Sequence, residues 1–193
     1  MNKIVSKLFD FNEDGNIFNE SFWIYKEEDK EDYLDMFEAW MDAQDMNEEQ
    51  MEEFSKHIDI FALGGIDGGV YAFWYKDAVP IENAPIIYIN EGIFLIASDI
   101  KKFLQLFTFS VQHSEGKFVQ YYYNCTLEEH FEEFIQEYPQ FIEFRKWLKK
   151  ELSIEPIEDW KVKESSIANN IHNEVIELYQ DDFNSWQSIY YSI

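Results

Sequence analysis

The sequence predicts an α+β fold: a bent antiparallel β-sheet flanked by N-terminal and C-terminal helices. Three observations predict it. Segments on either side of the middle carry apolar residues at helical spacing. Between them, "IDIFAL", "VYAFWY", "PIIYIN" and "IFLIAS" are short, β-branched and aromatic, and turn residues bound them. In the second run Val70, Ala72 and Trp74 face one way and Tyr71, Phe73 and Tyr75 the other, so a central strand covered on both sides is expected.

Taken in order, residues 1–9 suit a short helix. "DFNEDGNIFNES", Asp10 to Ser21, matches the opening of an EF-hand loop at Asp10, Asn12, Asp14, Gly15 and Ile17. The twelfth place, which needs a bidentate Glu, is Ser21, and Phe18 fills another coordinating place. A neutral hydroxyl offers one oxygen where calcium takes two anionic ones. The favoured reading is an Asp-Gly turn leading into a strand in "NIFNESFWIY".

"EDYLDMFEAWM" places Tyr33, Phe37 and Trp40 at helical spacing, with acids on the opposite side. The next helix starts at Asn47, with Gln50 closing a capping box and Met46 and Met51 placed as a hydrophobic staple. Glu48 and Glu49 suit the first turn of that helix, where the dipole favours acids. After the four strands, whose last two are joined by a turn at 90–92, Ser98 or Asp99 caps a helix with Ile100, Phe103, Leu104 and Phe107 inward. "FVQYYYN" reads as an edge strand. Thr126 and Glu129 open another capped helix, and Pro139 starts the next, with Phe141, Phe144 and Leu148 inward. Ile167, Ile171, Val175 and Leu178 form the stripe of a late helix, and a last helical segment docks through Phe183 and Trp186.

The chain has 193 residues, 46% of them apolar and 19% aromatic, enough to bury a sizeable core in a single domain. Within it, 1–30 reads as an N-terminal hairpin or extension and 139–193 as a C-terminal helical part. No apolar run approaches the roughly 20 residues of a membrane span. The opening "MNKIVSKLFDFNED" does not read as a secretory leader, and with Cys125 as the only cysteine the chain reads as cytoplasmic. Fifteen basic residues face 39 acidic ones, a formal charge of −24. That field disfavours nucleic acid and anionic membranes as partners and speeds encounter with a basic protein. One candidate partner face is acidic: Asp32, Asp35, Glu38, Asp42, Glu49, Glu52 and Glu53.

No catalytic, metal or cofactor set stands out. His57, His113, His130 and His172 are far apart in sequence, and with Cys125 they give no zinc spacing. The glycine-rich stretch "GGIDGG" has no following lysine and leads into a strand, so it is neither a phosphate loop nor a dinucleotide fingerprint. Gly64, Gly65, Gly68 and Gly69 are expected to allow positive φ and close strand approach beside the strand that carries Trp74.

"IFALGGIDGGVYAFWY", "APIIYINEGIFLIASDIKKFLQLFTF" and "FRKWLKKELSIEPIEDW" together resemble the SUKH superfamily, over roughly Ile58 to Trp160. The resemblance implies one domain with a strongly bent sheet and helices around it. It also implies a binding protein: many bacterial members are immunity proteins that neutralise a toxin, often a nuclease. No catalytic residue carries over from such a family, so an enzyme is not expected. The alternative is a non-catalytic regulatory scaffold or adaptor, as the fungal regulator of cell-wall glucan synthesis in that family suggests. Exposed aromatics, with Trp40, Trp74, Trp147 and Trp186 as candidates, would then carry affinity on an open sheet face.

Overall fold

In a computed structural model of the chain, five antiparallel strands run side by side in their sequence order. They are β1 (Trp23–Ile24), β2 (Ile58–Gly64), β3 (Gly69–Trp74), β4 (Ile86–Ile89) and β5 (Ile93–Ala97). The helices are α1 (Lys3–Glu13), α2 (Glu48–Lys56), α3 (Ile100–Leu106), α4 (Gln140–Trp147) and α5 (Ser166–Gln187). The structure describes residues 2–13, 23–24, 37–38, 40–41, 44–64, 69–75, 80–90, 92–109, 111–114, 117–120, 135–136, 139–157 and 166–190.

The expected α+β architecture is what forms, with helices on both faces of the sheet. β3 lies in the middle, and all six of its residues are buried. Its two faces divide as the alternation requires. Tyr71 and Phe73 join a core with Val5 and Leu8 of α1, Phe103 and Leu104 of α3 and Phe144 of α4. Val70, Ala72 and Trp74 join a second core with Phe37, Met41, Phe54 of α2, and Val175, Phe183 and Trp186 of α5.

The register shifts at two strand pairs. Ile60 pairs with Ala72 and Ala62 with Tyr71, so Phe61 is an extra residue. Ile86 pairs with Ala97 and Ile87 with Leu95, so Ile96 is another. Both extra side chains enter the α1–α3–α4 core. A bulge of this kind is expected to bend its strand and increase the local twist.

Most local signals operate as read. Asp99 caps α3, accepting from the Lys101 and Lys102 amides at 2.7 and 2.9 Å. Asn90 N–H donates to the Gly92 carbonyl at 2.9 Å and closes the β4–β5 turn. Three expectations change. Residues 117–120 do not extend the main sheet: they form β7 (Lys117–Gln120), paired with β6 (Val111–Ser114) in a separate two-stranded ribbon. Leu178, expected inward, is exposed, because the buried stripe of α5 runs from Ile171 and Val175 to Phe183 and Trp186 and leaves Leu178 on its flank. The segment carrying Phe183 and Trp186 is not separate but continues α5 to Gln187, whose amide donates to the Ile93 carbonyl on the β5 edge at 2.9 Å. The capping box expected at Thr126 and Glu129 lies outside the described residues, as does Cys125.

The glycine stretch is explained by space. Gly64 and Gly69 face each other across the β2–β3 pair, and the Tyr88 ring lies over both. Neither has the positive φ expected of it. A Cβ at either position would overlap the Tyr88 ring, whose hydroxyl donates to the Gly64 carbonyl at 2.9 Å. Gly65 and Gly68 lie outside the described residues.

Candidate acidic cleft

Phe37, Glu38, Trp40 and Met41 are helical, and residues 44 and 45 form a turn. The Gln44 and Met46 amides both donate to the Met41 carbonyl, at 3.1 and 3.4 Å, while Asp45 adopts φ 57°. A bond from the sixth residue back to the first, with a left-handed residue between, is a Schellman stop. Met41 and Met46 belong to the same buried cluster, matching the apolar contact that often accompanies that motif. Asn47 then caps α2: its side chain accepts from the Gln50 amide, and the Gln50 side chain accepts from the Asn47 amide, both at 3.0 Å. The turn and the cap together set how α2 leaves the preceding helical residues.

Glycine at position 45 would adopt the left-handed conformation without a Cβ penalty. Asp45→Gly is therefore expected to stabilise the fold by about 0.5–1 kcal/mol and raise Tm by about 2 °C. A thermal melt with unchanged or lower Tm would contradict this account of the turn.

Aromatic packing holds this unit to the sheet. Phe54 is fully buried and stacks against Trp186 and Phe37, at ring separations of 5.0 and 5.8 Å. Trp40 stacks on Phe37 at 5.7 Å, and its indole N–H donates to the Asn90 carbonyl of the β4–β5 turn. His57, the C-terminal cap of α2, places Nδ1 3.0 Å from the Tyr75 carbonyl.

A cleft of about 580 Å³ opens between the two helical pieces. Glu38, Glu48 and Glu52 bring carboxylates to it, the buried Met41 closes its floor, and Met51, Ser55 and Lys56 complete the described lining. Ser55 Oγ lies 3.9 Å from the Met41 sulfur. Lys56 Nζ sits 3.1 Å from Glu52 and 3.3 Å from Glu53. The Lys56 ammonium beside Glu53 holds that carboxyl below its ordinary range, and His57 adds to the effect. Glu52 first, then Glu53, hold the Lys56 ammonium above its own. Among its described lining residues the cleft therefore presents three carboxylates and one ammonium, which suits a cation.

Of the acids singled out in the sequence, Glu38 and Glu52 meet in this cleft. Glu49 and Glu53 are exposed on α2 outside its described lining. Asp32, Asp35 and Asp42 lie outside the described residues. Sequence reasoning missed Glu48, which it assigned to the helix dipole, and Lys56. The signal was the stripe 48, 51–52 and 55–56, one turn apart along α2.

Other candidate sites lack this convergence. Among the described residues no group of three or more His, Cys, Asp or Glu could hold a metal. Asp10 and Asn12, the first matches to a calcium loop, lie within α1, and Asp14 to Ser21 fall outside the described residues. Trp74 and Trp186 are buried, and Trp40 and Trp147 are half-buried against neighbouring rings. With a core on each face, the five-stranded sheet has no open aromatic face among the described residues. Among them, too, no helix is long and apolar enough to cross a membrane. Comparison with protein-family models, curated proteins and solved structures found no match.

Proposed function

We propose that this chain is a non-catalytic binding protein: a bacterial immunity protein that binds and neutralises a basic toxin domain in the cytoplasm. The observation that carries the reading is the acid-rimmed cleft between Glu38 and Lys56. The formal charge of −24 supports it, because such a field steers a basic partner to the surface. The SUKH-like motifs support the immunity class. A nuclease is the toxin type whose cationic groove best complements acidic helices. Binding by the cleft would then work by occupation: carboxylates take the cationic positions that nucleic-acid phosphates otherwise fill.

Growth rescue tests this. The reading predicts a basic toxin domain in the neighbouring reading frame, to be expressed in bacteria with the wild-type chain or with Glu38→Lys/Glu48→Lys/Glu52→Lys. Wild type is expected to restore growth, and the folded triple variant to lose most of the protection. Equal rescue by both would overturn the cleft as the binding site. Association with the purified domain should also slow at physiological salt, where the Debye length is about 8 Å.

A further inference from the structure

Two kinds of misfit meet at the end of α5. Among the described residues, the buried side-chain polar atoms without a hydrogen-bond partner are Trp74 Nε1 and Trp186 Nε1. Their rings lie 5.5 Å apart in one core, with Phe183 of α5 edge-on to Trp74 at 5.1 Å. The Tyr190 hydroxyl is near enough to feel the Trp186 N–H, yet does not accept a bond of normal geometry. The large apolar side chains left exposed among the described residues are Leu178 and Ile189, also on α5 or just past its end. A buried donor without an acceptor raises the free energy of the closed state. Ile189 is in water already, so opening costs nothing there.

The two halves of α5 are held differently. Glu174 accepts from the Ser98 hydroxyl at 2.8 Å and lies 3.4 Å from Lys102 Nζ, while Ile171 and Val175 enter one core each. Further along, side chains bond within the helix: Gln180 to Asn184, and the Ser185 hydroxyl to the Asp181 carbonyl at 2.8 Å. A serine that bonds back one turn weakens and bends its helix.

We propose that residues 183–190 form a strap that lifts from the sheet as a unit, hinged between Asp181 and Ser185, while Ile171 to Val175 stay seated. Lifting gives both indole N–H groups to water. It also takes Trp186 from Phe54, so the strap holds α2 in place.

Native-state amide exchange read by NMR tests this. In wild type, the amides of 183–190 are expected to exchange through an opening that leaves 171–176 protected. Trp186 and Trp74 are each replaced by 3-benzothienylalanine, which keeps the ring shape and has sulfur in place of the N–H. Each replacement is expected to slow exchange of 183–190 about five- to tenfold, because the closed state no longer buries an unbonded donor. Ordinary fraying of a helix end would not respond. The same replacement at Trp40, whose N–H donates to the Asn90 carbonyl, removes a bond that is made and should lower Tm. Unchanged or faster exchange in the Trp74 and Trp186 variants would overturn the strap. So would exchange of 183–187 only on global unfolding, or slower exchange of 183–190 in the Trp40 variant as well.

Discussion

Replacing Phe54 by alanine is expected to lower stability by about 3–5 kcal/mol, a large share of the total for an ordinary domain. Phe54 is fully buried where α2 meets the sheet and α5. Its ring contacts Phe37, Trp40, Trp186 and Tyr190 at separations of 5.0 to 5.9 Å. Truncation removes the transfer free energy of a phenyl group and leaves a cavity that four other rings are too rigid to fill. The same ring fixes one wall of the cleft. If the cleft binds a partner as proposed, Phe54→Ala should also weaken that binding, whereas Phe54→Leu should keep more of both properties. Urea denaturation measures the first effect. A loss below about 1 kcal/mol would show that α2 is not anchored through this ring.

The second large effect belongs to a residue with no side chain. Gly69→Ala is expected to cost about 3 kcal/mol, from overpacking against Tyr88 and the strained or lost hydrogen bond to Gly64. Tyr88 cannot swing aside cheaply, since its ring also packs on Tyr71 at 5.0 Å in the α3 side of the core. A double-mutant cycle gives the decisive reading. In a Tyr88→Ala background, Gly69→Ala should cost less than about 1 kcal/mol, because the obstructing ring is gone. Additive costs would show that the glycine is required for another reason.

These two residues show what the sequence made legible. Strong alternation in Val70–Trp74 revealed a strand covered on both faces, and the same alternation now separates the two cores. Capping residues were equally plain, because Asn47, Gln50 and Asp99 act on amides only two or three positions away. Long-range consequences were hidden. Gly64 and Gly69 looked like turn residues needing positive φ, yet they answer to Tyr88, a partner 24 positions from Gly64. The bulges at Phe61 and Ile96 left no local mark, since a bulge is a property of two paired strands.

The candidate site was half legible for the same reason. Acids are so abundant that any face of a helix offers several, and abundance alone selects nothing. Selection came from the turn at Asp45, which brings Glu38 and Met41 back beside Glu48, Met51 and Glu52. Glu48 satisfied the α2 dipole so well that a second role was invisible in the sequence. Lys56 drew no notice in the sequence, since its two carboxylate partners appear only in the structure.

Amide hydrogen exchange of the wild-type chain, alone and with a basic amphipathic peptide of leucine and lysine, tests the central claim most directly. Docking in the cleft predicts slowed exchange concentrated in α2 and the turn before it, residues 44–56, with little change in α4. Uniform slowing over all acidic surfaces, or slowing centred on α4, would contradict it.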